Sequence, residues 1–511
     1  MSSTSTPKPE KTIIGGSLEI PRMINGLWQL AGGHDQDVDI ATAAGAMGPL
    51  IDAGLDCFDM ADHYGEAGKL PPESWKLVMG QHNTNSDKKM TAFTKWCPPE
   101  NRITTFENAE AAVDLALTRM KQSKIDLLQY HAWDYTDPSY IHNLDHLQTL
   151  KEQGKIGLIG LTNTDAAHLE LLLDSGFEIA TNQVSCSVID RRCARGPLSL
   201  LCIQRGVGIL AYGTLLGGYL SEKWLGAAEP KDTEELNWSL RKYLRFIHAA
   251  GGWAAYQTVL EALSTVAKKH GVPIAAVATR HVLNIPAVKA VIVGSRLSAS
   301  SDKYTASNLA AFTFALDDED KRLIAEAQEG LTDIPGDCGD EYRRAPFLTA
   351  KGDLSDHLEE SDRGIKLAKA VAAGARVEYS SGSKWEPIAS YCRAVRTGNT
   401  IRVSGTTANS PIERLPALGG TSVKSQTVAA IDIISRALKA LGGDLSDVVR
   451  TRIMVQDKEY CEDVARAHGW AFSCVGTRPA NTLVVSGLIG LELLVEIEAD
   501  AELGYREVVR I

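Results

Sequence analysis

The sequence predicts a (β/α)8 barrel followed by a separate α+β domain, and three observations carry that reading. Short apolar runs alternate with segments of helical periodicity through the first two-thirds of the chain. Eight such runs occur, the number that closes a parallel barrel. Beyond residue 376 the pattern changes to strand-like runs around only two helical segments, which suits an α+β unit. A doubly wound sheet is the rival for the first part, but it requires a Gly-x-Gly-x-x-Gly turn after an early strand, and none is present.

Taken in order, Met1–Lys11 is rich in Ser, Thr and Pro, lacks an apolar stretch, and reads as a disordered tail rather than a secretory signal. The barrel spans 12–345, with strands expected near Met23–Trp28, Leu55–Asp59, Met90–Thr94, Ile125–Tyr130, Ile156–Leu161, Ile179–Val184, Val207–Ala211 and Val288–Val293. The last connection is far longer than the others and carries a tryptophan-rich insertion, Tyr219–Trp253. Long connections of this kind act as lids or form an extra helical pair on the barrel exterior. Residues 346–375 form a charged linker or extension. The second domain, 376–511, shows strand patterns at Ser390–Val395, Thr400–Ser404, Val449–Val455, Thr482–Val485 and Leu493–Ala499, with helices at Ser422–Leu441 and Lys458–Trp470.

A chain of 511 residues with 44% hydrophobic and 23% charged residues has the composition of a water-soluble globular protein. Its net charge of -11 argues against a nucleic-acid backbone as partner. No apolar run is long enough for a membrane helix. The nine cysteines show neither paired spacing nor a Cys/His cluster, so no metal and no disulfide framework is expected, and the reducing cytoplasm is the expected compartment.

The chemistry concentrates at three consecutive strand ends. Cys57-Phe58-Asp59 ends in a carboxylate, with Tyr64 five residues further on. A phenol titrates near pH 10 and needs help to serve as an acid. Lys95, closing the next strand, supplies an ammonium expected to lower the Tyr64 pKa, and Asp59 can hold that lysine. His131, after the strand that follows, can orient a carbonyl and support charge developing on its oxygen. All lie where barrel active sites sit.

On these residues and the Phe58-Asp59-x-Ala61-Asp62-x-Tyr64-Gly65 pattern, the chain from about Thr12 to Arg344 resembles the aldo-keto reductases. The resemblance implies a tetrad of Asp59, Tyr64, Lys95 and His131, with Tyr64 as proton donor in hydride transfer to a carbonyl. It also implies an extended NADPH. Thr162, Asn163 and Gln183 would hold the nicotinamide carboxamide, and Tyr212, before Gly213, would stack on the ring. The Leu215–Gly218 turn, including Gly217, would follow the pyrophosphate. Gly294, Ser295 and Arg296 would grip the 2′-phosphate, and Asn308 would contact adenine. NADPH in preference to NADH rests on Arg296. Trp28 and Trp96 would flank the substrate.

The segment from about Trp385 to Glu507 resembles the RidA/YjgF family, whose fold is of the chorismate-mutase-like type. The matching motifs are Asn399–Gly405, Gln426-Thr427, Asp447–Arg450, Arg478-Pro479-Ala480 and Leu494–Ala499. Active relatives hydrolyse imines and enamines and form trimers. Their carboxylate-binding arginine is replaced here by Asn481, which lacks charge and fork, while Glu496 matches the acidic residue that positions water. The expected partner is therefore a small carbonyl or imine, in a homotrimer assembled through the second domain. Four readings stay open: an imine hydrolase feeding the reductase, a reductase with an assembly or ligand-binding module, reduction of a C=N bond, and a non-catalytic NADPH sensor.

Overall fold

The computed structural model describes residues 7–30, 39–62, 64, 74–98, 105–231, 233, 235–298, 302–343 and 362–504. Eight parallel strands close into a barrel: β3 Met23–Gly26, β4 Cys57–Asp59, β5 Thr91–Trp96, β6 Ile125–Tyr130, β7 Ile156–Thr162, β8 Thr181–Ser185, β9 Gly208–Tyr212 and β10 Val288–Gly294. They pair in sequence order, with β10 closing against β3. Helices lie between them, and several are fixed at their starts by side-chain caps. Asp39 accepts from the Thr42 amide, and Asp165 accepts from the His168 amide.

Two strands not expected from the sequence precede the barrel, β1 Lys11–Ile14 and β2 Leu18–Pro21, paired as a hairpin. Ile14 and Ile20 pack with the inward-facing Ile24, Phe93, Leu127 and Leu210. The hairpin plugs the end where strands begin, since Ile14 lies beside Gly208 at the start of β9. The expected tail is accordingly too long. Residues 1–6 lie outside the described residues, but Glu10 pairs with Arg22 and Arg280, and Lys11 is already in the hairpin. Two guanidiniums across the barrel end anchor a segment that composition alone marks as unstructured.

The long insertion is neither a free lid nor a purely external pair. Its helix Trp238–Ala249 buries Tyr243, Leu244, Phe246 and Ile247 in a cluster shared with the next helix, Gly252–His270. The N-terminal part of helix Trp238–Ala249, with Ser239 and Lys242, borders the mouth of the barrel. The expected linker falls mostly outside the described residues, which resume with the helix Asp362–Ala372.

The second domain is a six-stranded sheet of β11 Val377–Tyr379, β12 Ala394–Thr397, β13 Thr400–Thr407, β14 Val448–Val455, β15 Ala480–Val485 and β16 Val495–Glu502. Its order is β11-β12-β13-β16-β14-β15. Along β16 burial alternates strictly, Val495, Ile497, Ala499 and Ala501 facing the helices Val423–Ala440 and Cys461–Cys474. The strand expected from Ser390 begins only at Ala394, because Ser390 is left-handed (φ 54°) and caps the short helix Trp385–Ala389. β11 was not foreseen; three residues carry too little pattern to read.

The two domains are packed together. Helix Val423–Ala440 lies on the barrel helix Ala166–Asp174. The Gly419 amide donates to Ser175 Oγ (2.8 Å), and Ser425 Oγ donates to Asp174 Oδ2 (2.7 Å). At the centre is His168, buried, with Nδ1 2.8 Å from Asp165 Oδ2 and Nε2 3.1 Å from Asp432 Oδ2 of the second domain. Burial opposes its charge, but the two carboxylates outweigh burial and raise its pKa to about 9. A raised cationic group stabilises the fold fully below its unfolded pKa of about 6.5 and loses that contribution as pH rises through about 9. The thermal midpoint should therefore fall between pH 7 and pH 10 by more in the wild type than in His168→Gln. Parallel melting curves showing equal falls would refute the charge assignment.

Candidate active site

The Asp59 carboxylate is 2% exposed at the end of β4. Lys95 Nζ lies 2.5 Å from its Oδ2, and the amide nitrogens of Gln129 and Gln183 donate to its Oδ1 at 2.7 and 3.0 Å. Gln183 Nε2 also donates to Gln129 Oε1 (2.8 Å). A buried carboxylate held this way has its charge balanced and both oxygens satisfied. Strand parity explains the set: Asp59, Lys95, Gln129 and Gln183 lie on β4, β5, β6 and β8 and face inward.

Tyr64 is half-buried, its hydroxyl 3.4 Å from Lys95 Nζ and its ring edge-on to Trp28 at 4.9 Å. The expected lowering of its pKa is corrected here. Burial pushes the phenol well above its ordinary value, and the Asp59 carboxylate adds to the shift. The Lys95 ammonium is closer to Asp59 than to Tyr64, so its charge is committed first to the carboxylate. The phenol thus keeps its proton throughout the neutral range.

Asn163 is the hub of the other half. It is left-handed (φ 54°), a conformation Asn tolerates best after Gly. Its Nδ2 lies 3.5 Å from His131 Nε2, its Oδ1 accepts from the Tyr212 hydroxyl (2.8 Å), and its backbone oxygen accepts from Arg343 Nη1 (2.5 Å). Arg343 also donates to the Ala132 carbonyl and lies over the Tyr135 ring at 4.2 Å. The backbone at Gly339 presses on the Asn163 carbonyl where any side chain would collide.

Asp59, Tyr64, Lys95, His131, Asn163 and Gln183 line a cavity of about 400 Å³ that runs over Tyr212, Gly213, Leu215 and Gly217 to Gly294, Ser295, Arg296 and Asn308. A Cβ at Gly213, where φ is 71°, would strike the Tyr243 ring. Thr162, in the wall, has a buried hydroxyl without a partner among the described residues. An orphaned hydroxyl, glycine-lined walls and a cation at the far end fit a dinucleotide.

Trp96 is not part of this site. Lys95 faces inward, so its strand neighbour Trp96 faces outward, where it is 7% exposed and packs edge-on to Tyr130 at 5.8 Å. The aromatic wall comes instead from Trp28 and from two residues missed in the sequence. Trp133 lies 4.0 Å from the His131 ring and Tyr342 lies 5.5 Å from it, while Trp238, 6.3 Å from Trp28, stands outside the lining. Lys242 Nζ donates to the Tyr342 hydroxyl at 2.7 Å. Trp133, two residues past His131, was open to discovery from spacing; Tyr342 and Lys242 carried no local signal.

The barrel residues 22–329 match the sequence model of the aldo/keto reductase family, covering more than half of the chain. The chain belongs to the aldo/keto reductase family. Residues 382–503 match the model described as endoribonuclease L-PSP, the RidA/YjgF type of domain. The chain is 33% identical over 175 residues to flagellar radial spoke protein 5 of Chlamydomonas reinhardtii, covering 30% of this chain and 33% of that protein, so it spans only a third of that relative. It is 24% identical to the chloroplastic pyridoxal reductase of Arabidopsis thaliana, covering 62% of this chain and 88% of the relative. Among solved structures, a glycerol dehydrogenase from Gluconobacter oxydans shares the fold with a TM-score of 0.50 and 22% identity, over 64% of this chain and 97% of that one. The barrel is thus an oxidoreductase of a family that acts on carbonyls with nicotinamide dinucleotides.

In the reductase's C-terminal domain the two candidate residues do not converge. Glu496 is paired opposite Thr407 and Met454 on the helix-free face of the sheet and packs against Gly405. Burial raises its carboxyl pKa, and neighbouring Glu498 adds to this. Asn481 is level with Thr451 on the helix side, donating to Thr451 Oγ1 at 2.9 Å. Glu496 also lies on β16, an interior strand, so it is not a sheet-edge charge.

Arg343→Ala removes two charge-assisted hydrogen bonds, each worth about 1.5–3 kcal/mol, from the carbonyls that set Asn163 and His131. The cofactor KM should rise about tenfold or more in initial-rate measurements, and an unchanged KM would show that Asn163 holds its place unaided.

Proposed function

We infer that the barrel reduces an aldehyde or ketone to an alcohol with NADPH, and the Asp59–Lys95–Tyr64 arrangement facing His131 carries this reading. When bound, the reduced nicotinamide supplies a hydride that forms the new C–H bond at the carbonyl carbon. The chain supplies the rest. His131 would orient the carbonyl oxygen toward Tyr64, and the Tyr64 O–H bond breaks as its proton passes to that oxygen. Because the phenol holds its proton at neutral pH, it surrenders it only to a base as strong as a developing alkoxide. Lys95, fixed by Asp59, stabilises the phenolate left behind.

Thr162, Asn163 and Gln183 would bind the carboxamide, with Tyr212 against the ring. The turn at Leu215 and Gly217 would bind the pyrophosphate, and Asn308 would contact the adenine. NADPH in preference to NADH is supported by Arg296, whose guanidinium lines the distal end of the cavity with Ser295 and Gly294. The aromatic walls from Trp28, Trp133 and Tyr342 favour planar or bulky carbonyl compounds. That preference accords with a relative named as a pyridoxal reductase.

For the C-terminal domain we favour an assembly and ligand-binding role over hydrolysis of 2-imino acids. The motivating observation is the separation of Asn481 and Glu496 onto opposite faces of the sheet. Self-association as a trimer would cover the helix-free face, which bears Met454 and Val484, and the nearby Ile489 and Leu491, each 93% exposed.

Tyr64→Phe should lower kcat by about 100-fold to 10,000-fold in an NADPH-absorbance assay with an aromatic aldehyde; unchanged turnover would remove Tyr64 as the acid. Arg296→Ala should raise the KM for NADPH while leaving that for NADH nearly unchanged, and equal effects on both would reject 2′-phosphate recognition. Light scattering on the full chain should return three times the chain mass, whereas a monomeric mass would exclude the trimer.

A further inference from the structure

A second cavity, of about 340 Å³, lies at the junction of the two domains, apart from the reductase site. Tyr135 and Tyr140 of the barrel form one wall, and Arg393, Thr406, Asp432 and Arg436 of the C-terminal domain form the other. Arg393 is 7% exposed. Its Nη1 donates to the Gly405 carbonyl (2.6 Å) and to Thr406 Oγ1 (2.9 Å). Its Nε is buried and has no hydrogen-bond partner among the described residues. A buried guanidinium N–H left unmet is costly, and such a group calls for a partner.

The charges around it decide what that partner is. Arg436, which donates to the Thr136 carbonyl, and Lys384 at the rim add two further cations. The one carboxylate in the wall, Asp432, is engaged by His168. Two others feel the Arg393 charge from outside the cavity. Glu386 is already bonded to the Ser380 hydroxyl and to the Ser381 amide and hydroxyl, and Glu496, across from Thr407 and packed against Gly405, lies outside the lining. The cavity therefore carries an excess of positive charge. Three rings stand among the other lining residues: Tyr135 and Tyr140 meet edge-on at 5.7 Å, and Trp385, 54% exposed, stands at the mouth. The volume lies at the small end of the range for small-molecule sites, roughly 300–1,000 Å³.

We propose that this junction cavity binds a small planar carboxylate, held by Arg393 and Arg436 beside the tyrosine edges, with its flat side toward the Trp385 ring at the mouth. A guanidinium with an unmet N–H matches a carboxylate in charge and geometry, and the exposed Trp385 ring favours a flat ligand. Such a ligand would touch Tyr135, whose ring stacks on His168 at 3.5 Å and lies under Arg343.

The test is calorimetric titration of the full chain with benzoate, in saturating NADP⁺ so that the reductase cofactor site is filled. Benzamide serves as the neutral isostere and inorganic phosphate as the non-planar anion. Expected are saturable benzoate binding, at least about tenfold weaker binding of benzamide and phosphate, and a loss of about tenfold or more in Arg393→Gln. Tyr64→Phe should leave benzoate affinity unchanged. Arg436→Gln, at a half-exposed position, should weaken binding severalfold and decides the matter if Arg393→Gln does not fold. Absence of saturable binding, equal affinity in both arginine variants, or equal binding of benzamide or phosphate would overturn the proposal. So would loss of binding in Tyr64→Phe, because that would place benzoate in the reductase site.

Discussion

A single buried carboxylate organises the reductase half of this protein. Asp59 is almost wholly buried, so most of its charge must be met by the chain itself, and three other strands of the barrel contribute to that. Lys95 neutralises it, and Gln129 and Gln183 complete its hydrogen bonding. An uncompensated ion there would cost several kcal/mol, so the strands must end in register for the barrel to be stable. The same registration brings the Lys95 ammonium near Tyr64. The position of the proposed proton donor is thereby tied to the electrostatic balance of the core.

A second constraint runs from the domain junction to the same site. Asp432 meets His168, His168 stacks on Tyr135, Tyr135 lies beneath Arg343, and Arg343 holds the backbone of Asn163 and Ala132. These contacts form a continuous packed path between domains. Physical continuity is not itself energetic coupling, but it means that the residues beside His131 rest on groups which the second domain helps to hold.

Much of this was legible in the sequence because it is written in short-range patterns. The eight barrel strands are apolar runs, and Asp59, Lys95 and His131 each close one of them, so periodicity and spacing suffice. Trp96 was placed beside the substrate by the family resemblance alone; strand parity sends it outward when Lys95 points inward. Tyr342 and Arg343 were illegible for a different reason. They reach the site from the far end of the barrel sequence, and only closure of the chain brings them to His131 and Asn163. Glu10 and Lys11 show the converse, a stretch of unstructured composition fixed by distant arginines.

The junction also bears on how the chain behaves as a covalent object. Ala408, Ile412, Leu418, Val428 and Ala429 of the second domain belong to the same apolar cluster as the barrel's outer layer, and ion pairs such as Lys424–Glu170 and Lys439–Asp134 surround it. Peptide-bond continuity is then only one of the ties between the halves. A protease that severed the chain between Arg343 and Asp362 would yield two fragments on a denaturing gel and one particle on a sizing column.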